Sequence, residues 1–205
     1  VIGWPEQRPD VLPRREGWFD DRNRAFLSCF VGSGDVVVEI GAWVGESTLW
    51  LAEQVGETGH VYTIDHFQGS WEHRTDPALA AKLPTLWETF VVNCWNSRER
   101  ITPVKADSRV GLLALYQKGI QPTLVYVDGA HDYDTVVRDI LLSAFLWPSA
   151  QIVGDDFAHP DVRRAAFDTS NLLNDELYGN KRCFALGRLR LRGVEEEHPE
   201  QPRVR

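Results

Sequence analysis

Carboxylates recur in one kind of place along this 205-residue chain, at the end of an apolar run. Val36-Val37-Val38 leads to Glu39, Val61-Tyr62-Thr63-Ile64 to Asp65, and Ile101 to Ala106 leads to Asp107. Leu124-Val125-Tyr126-Val127 leads to Asp128, and Ile152-Val153-Gly154 to Asp155 and Asp156. Short runs this rich in β-branched residues read as buried strands. In an open parallel sheet the carboxyl ends of the strands share one edge, and ligands bind there. A row of acids at that edge suits ribose hydroxyls, a positively charged ligand and a hard metal ion held through oxygen. His131, three residues after Asp128, adds an imidazole whose ordinary pKa suits it to accept a proton near neutrality.

A second constellation is the turn Gly41-Ala42-Trp43-Val44-Gly45, which joins the first strand to a helix beginning near Glu46 and Ser47. Glycines at 41 and 45 permit a tight turn and close approach of a ligand to the backbone. The free N–H groups of the helix start can receive a carboxylate. The spacing departs from G-x-G-x-x-G, and Trp43 would crowd a pyrophosphate. Asp65, with His66 beside it, ends the second strand and can accept both hydroxyls of a ribose. Asp107-Ser108 either reaches an adenine edge or caps the following helix. His159 either lines the mouth of the site or caps a helix.

The elements that position these residues follow from periodicity. A leading helix is expected over 18–30, and helices over 46–55, 84–95, 108–118, 133–147 and 160–173. In the 133–147 helix the stripe is read as Val136, Val137, Ile140, Leu141, Ala144 and Phe145. Strand–helix alternation means an α/β doubly wound sheet. Pro103 cannot donate to a ladder, which sends the third strand to an edge and predicts the order 3-2-1-4-5. Alternation over 182–192 adds a final antiparallel hairpin or edge strand. Residues 66–83 have no clean period and are expected either to cover the site or to form a surface excursion.

One domain over 18–193 is expected, with a loose N-terminal arm (1–17) and a frayed tail (194–205). The net charge of −8 argues against a nucleic-acid partner. No apolar run approaches the roughly 20 residues of a membrane span, and the N-terminus lacks the charged-then-apolar pattern of a signal peptide. Cys29, Cys94 and Cys183 are odd in number and far apart, which points to free thiols and a cytoplasmic protein. The aromatic arm (Trp4, Trp18, Phe19) suits packing on a second subunit of a homo-oligomer.

Val-Glu-Ile-Gly (38–41), Val-Tyr-Thr-Ile-Asp-His-Phe-Gln-Gly-Ser (61–70), Ala-Asp-Ser (106–108), Val-Asp-Gly-Ala-His-Asp-Tyr (127–133) and Gly-Asp-Asp (154–156) stand in order. Together they resemble the class I S-adenosylmethionine-dependent methyltransferases. More narrowly they are similar to the metal-dependent O-methyltransferases, of the catechol type and the antibiotic-sugar and cephalosporin-tailoring relatives. The resemblance implies a Rossmann-like methyltransferase sheet, mostly parallel with an antiparallel C-terminal strand. It implies S-adenosylmethionine as cofactor, with Glu39, Gly41 and Ser47 around its methionine portion, Asp65 on the ribose, and Asp107 and Ser108 on the adenine. It also implies a divalent metal, Mg²⁺ by its oxygen ligands, at Asp128, Asp155 and Asp156, and a small-molecule hydroxyl as methyl acceptor. His131 is then the base, or else merely orients Asp128 or caps the following helix. A nicotinamide-dependent oxidoreductase and a non-catalytic cofactor-binding protein are the alternatives on the same sheet.

Overall fold

The computed structural model describes residues 1–187; the expected tail and the end of the 182–192 alternation lie outside the described residues. Seven strands form one sheet: β1 (Val36–Ile40), β2 (His60–Asp65), β3 (Ile101–Lys105), β4 (Leu124–Val127), β5 (Gln151–Gly154), β6 (Leu177–Gly179) and β7 (Phe184–Leu186). Their order is β3-β2-β1-β4-β5-β7-β6. The first five are parallel, and β7 runs antiparallel to both β5 and β6. This is the mostly parallel, doubly wound sheet with antiparallel C-terminal strands that the resemblance implies. Strand order reverses between β1 and β4, and that switch point opens a crevice at their carboxyl ends.

The helices are α1 (Asp21–Leu27), α2 (Glu46–Val55), α3 (Trp71–Thr75), α4 (Pro77–Ala80), α5 (Leu86–Cys94), α6 (Ser108–Gln117), α7 (Tyr133–Leu146) and α8 (Pro160–Leu173). Adjacent valines explain the two-sided burial. Val37 packs into the layer of Leu27, Leu51 and Phe90, and Val38 into the layer of Leu112, Leu115 and Ile140. A continuous Val run is what a strand covered on both faces requires.

Three expectations change. The N-terminal arm is docked rather than loose: Ile2 bridges Val104 antiparallel, Gly3 N donates to the Pro103 carbonyl at 2.8 Å, and Trp4 Nε1 donates to the Ile101 carbonyl at 2.7 Å. Burial of the Trp4 ring against Phe90 and Trp95 favours that docking. Trp18 packs on Trp43 and Phe19 on Trp50, within the chain. Residues 66–83 hold α3 and α4, which begin at the N-caps Ser70 and Asp76 and are too short to show a period. The inward line of α7 is Val136, Asp139, Ile140, Ser143 and Leu146; Phe145, placed in the expected stripe, is 83% exposed.

Candidate active site

A cavity of about 500 Å³ lies across the carboxyl ends of β1 to β5. At its centre β1 turns away at Gly41 (φ +92°). A Cβ there would stand 2.0 Å from the Asp128 carbonyl oxygen, so only glycine lets this turn pass the loop after β4. Ala42 N and Trp43 N donate to Asp65 Oδ2 at 3.0 and 3.1 Å, and Phe67 N donates to Asp65 Oδ1 at 2.6 Å. Asp65 thus braces the turn while also lining the cavity. The Trp43 ring stacks on His73 at 4.5 Å. Gly45 caps α2 in the left-handed region with no side-chain cap, so the first N–H groups of α2 lack a capping side chain. Ser47 lines the cavity beside them, and His66 lines it while accepting from Gln68 N at 2.9 Å.

Two of the expected cofactor residues lie behind this wall. Gly45 faces α5, where a Cβ would meet Cys94 Sγ at 2.5 Å. Glu39 is fully buried between β1 and α2 and accepts from Thr48 Oγ1 at 2.5 Å. Burial raises its pKa to about 7, and among the described residues its Oε1 has no hydrogen-bond partner. A strand residue two positions before the turn points under it, which removes Glu39 from the cavity lining.

Near the ends of β2 and β3 the cavity meets Ala106, Asp107 and Ser108. Asp107 is exposed and caps α6, accepting from Arg109 N at 3.1 Å. Ser108 Oγ donates to Asp139 Oδ1 at 2.7 Å and accepts from Arg138 Nη2 at 3.1 Å. Neither α7 residue stands out from the stripe as read in sequence. A stripe read at i, i+3, i+4 and i+7 from Val136 exposes Asp139 as an acid on the buried face.

At the β4–β5 side, Asp128, Asp155 and Asp156 each place one oxygen within 4.8 Å of the others. Asp156 reaches in through a left-handed backbone (φ +54°). Burial, then the neighbouring acids, hold Asp128 well above the usual carboxylate range; the same causes raise Asp155. Asp155 is held by the Asn23 amide, by the Cys183 thiol at 3.4 Å and by the Arg182 guanidinium at 3.7 Å. His131 is clamped: Nε2 lies 2.9 Å from Asp156 Oδ2 and Nδ1 2.8 Å from Glu72 Oε2 on α3. The bond to Asp156 raises its pKa to about 9 against the effect of burial. The two carboxylates that flank His131 favour its protonated form while no cation sits at the acids. His159 stands at the start of α8 without a side-chain cap bond, with Nε2 4.0 Å from Glu72 Oε1.

A family model described as a methyltransferase domain matches residues 38–157, from β1 through the acid pair after β5. The chain belongs to this methyltransferase family. Its sheet is that of the class I S-adenosylmethionine-dependent enzymes. The methyltransferase is similar to the cofactor-bound protein Rv0187 from MTB, with 21% identity, 88% of this chain and 83% of that one covered, and a TM-score of 0.58. An O-methyltransferase from Bacillus cereus in complex with SAH gives 14% identity, 83% and 82% coverage and a TM-score of 0.54. The O-methyltransferase TomG from Streptomyces achromogenes, involved in tomaymycin synthesis and solved with SAM, gives 16% identity, 80% and 76% coverage and a TM-score of 0.54. At such identities the likeness establishes the fold of the methyltransferase. Its described residues include no helix long and apolar enough to cross a membrane.

Proposed function

We propose that this methyltransferase moves a methyl group from S-adenosylmethionine to a hydroxyl oxygen of a small metabolite, with a divalent cation at Asp128, Asp155 and Asp156. The observation that carries this reading is the convergence of those three carboxylates beside His131 in the cavity formed by the glycine turn. The donor set is all oxygen, which suits Mg²⁺. The acids oppose one another at this separation, and a cation relieves the opposition that raises Asp128 and Asp155. The turn fits the cofactor likewise: the uncapped start of α2 suits a carboxylate, Asp65 suits ribose hydroxyls, and the acidic edge suits a sulfonium.

When bound, S-adenosylmethionine supplies an electrophilic methyl group, and the cation lowers the pKa of an acceptor hydroxyl and favours two neighbouring oxygens. The protein's own part is positional. The Gly41–Gly45 turn and Asp65 fix the donor side, and Trp18 and His73 pack on Trp43 of that turn beside the cavity. His131 holds a proton between Asp156 and Glu72. It becomes a base once positive charge at the trio opposes the imidazolium and lowers its pKa. The net charge of −8 fits a small-molecule acceptor better than nucleic acid or a membrane surface.

A metal-free form of the reaction is favoured by one observation: Arg182 beside Asp155 and His131 beside Asp156 already bring positive charge to the acids. The two forms separate in a methyl-transfer assay against a panel of vicinal diols and catechols. The metal-dependent reading expects turnover restored by Mg²⁺ after chelation. It also expects Asp155→Ala to lose on the order of 10³-fold in turnover while binding S-adenosylhomocysteine within a few-fold of wild type. Full activity in chelator would overturn the cation and leave the metal-free form.

A further inference from the structure

Helix α3 buries no residue, and neither does α4 after it. Two neighbouring side chains nevertheless tie α3 to opposite ends of the cavity. His73 stacks its ring on Trp43 of the glycine turn at 4.5 Å, which fixes where the helix stands. Glu72 reaches the other end, where its Oε2 lies 2.8 Å from His131 Nδ1. Its Oε1 is 4.0 Å from His159 Nε2, too long for a hydrogen bond, so His131 is the ring that Glu72 engages. The Glu72 side chain is 47% exposed. An ion pair that open to water adds little to stability, so the pairing calls for another use. Its geometry supplies one. The hydrogen bond made at one imidazole nitrogen sets the role of the other. A carboxylate only accepts, so a neutral His131 bonded to Glu72 keeps its proton on Nδ1. The bare nitrogen is then Nε2, which stands 2.9 Å from Asp156 Oδ2 at the edge of the acid trio.

We propose that Glu72 is the positioning residue of His131, holding the Nδ1 proton from α3 and keeping a bare Nε2 turned toward the acceptor hydroxyl beside Asp156. The inference rests on the proposed methyl-transfer reading, in which His131 is the base, and deepens it by giving Glu72 a role. In the transfer, the acceptor O–H bond breaks and its proton goes to Nε2. The oxygen's electron pair bonds the methyl carbon as the carbon–sulfur bond breaks. The Nδ1 proton stays between the ring and Glu72, which remains a carboxylate and steadies the imidazolium that forms.

The test compares wild type, Glu72→Ala and Glu72→Gln in the full chain. Both variants are expected to fold, because α3 contributes nothing to the buried core. Ring ¹⁵N NMR of Mg²⁺-saturated protein, at a pH where His131 is neutral, is expected to show the proton on Nδ1 in wild type. It is expected to stay there in Glu72→Gln, whose amide oxygen still accepts, and to move to Nε2 in Glu72→Ala. With the catechol or vicinal diol that wild type methylates best, Glu72→Ala is expected to lower kcat about tenfold to a hundredfold. KM for that acceptor and the affinities for S-adenosylhomocysteine and Mg²⁺ are expected to stay within a few-fold of wild type, and Glu72→Gln to recover most of the lost kcat. A proton on Nε2 in wild type, or still on Nδ1 in Glu72→Ala, overturns the inference. So does an unchanged kcat, a loss confined to KM, or a loss of Mg²⁺ affinity as large as the loss in kcat, since the last two would place Glu72 on the acceptor or among the acids of the cation. Absence of methyl transfer by wild type across the whole panel counts instead against the proposed function, and the ring spectra still decide where Glu72 holds the proton.

Discussion

The two ends of the cavity are built from different materials. At the glycine turn, one carboxylate takes three backbone N–H groups: Asp65 from Ala42 and Trp43 of the turn and from Phe67 two residues on. At the acid trio, the carboxylates oppose one another, and the groups that steady them come from far away. Asn23 arrives from α1, Glu72 from α3 through His131, and Arg182 from the β6–β7 connection. The first end is closed by local backbone geometry. The second is assembled by the whole fold, so changes remote from the chemistry should be felt there first.

Gly41 is where the two ends touch, and replacing it should have the largest effect on folding. Gly41→Ala puts a Cβ 2.0 Å from the Asp128 carbonyl in a left-handed backbone. Neither backbone can yield without pulling β1 from β4, so a loss of about 3 kcal/mol or more is expected in urea denaturation. A loss below about 1 kcal/mol would show that the two turns move independently.

That division also sets what was legible in the chain. The acids were visible because β1, β2, β4 and β5 are continuous apolar runs that stop at them. Pro103 announced the β3 edge, while the single bridge from Ile2 that covers it carries no period. Asn23 was invisible: it lies 132 residues from Asp155 and looks like an ordinary polar position in a short helix. Asp139 was obscured because the α7 stripe was read as Val136, Val137, Ile140, Leu141, Ala144 and Phe145, which holds Val136 and Ile140 of the inward line but passes over Asp139, Ser143 and Leu146. Glu39 was misplaced for a different reason. A strand-end acid can point toward the crevice or beneath the turn, and apolar runs alone do not say which.

Asn23 offers the sharpest test of remote assembly. Its amide serves both the α1 capping box, by accepting from Asp20 N at 2.9 Å, and the carboxylate of Asp155. Asn23→Ala should lower divalent-cation affinity about tenfold, as loss of an orienting partner does. It should also lower stability by about 1–2 kcal/mol through the cap and the buried acid. S-adenosylhomocysteine affinity should stay nearly constant, because the turn end does not use this residue. Equal losses of cation and cofactor binding would erase the distinction between the two ends.

The smallest effect is a pair of pH slopes, one from each end, in protein freed of divalent ions. Glu39 has its folded pKa raised from 4.5 to about 7, so the folded state binds its proton more tightly than the unfolded chain. Its contribution is fully present below about 4.5 and is lost as pH rises to about 7. His131, raised from 6.5 to about 9 chiefly by Asp156, contributes fully below about 6.5 and loses that contribution as pH rises through about 9. Each slope is at most about 1.4 kcal/mol per pH unit, the bound for one proton. Glu39→Gln should flatten the acid window and leave the alkaline one, and His131→Asn should do the reverse, read by urea unfolding at pH 5, 7 and 9. Saturating Mg²⁺ should suppress the alkaline slope alone, since only the acid-trio end gains a cation that replaces the imidazolium. Suppression of both slopes would mean that the buried acid behind the turn and the acids after β4 and β5 respond as one electrostatic unit.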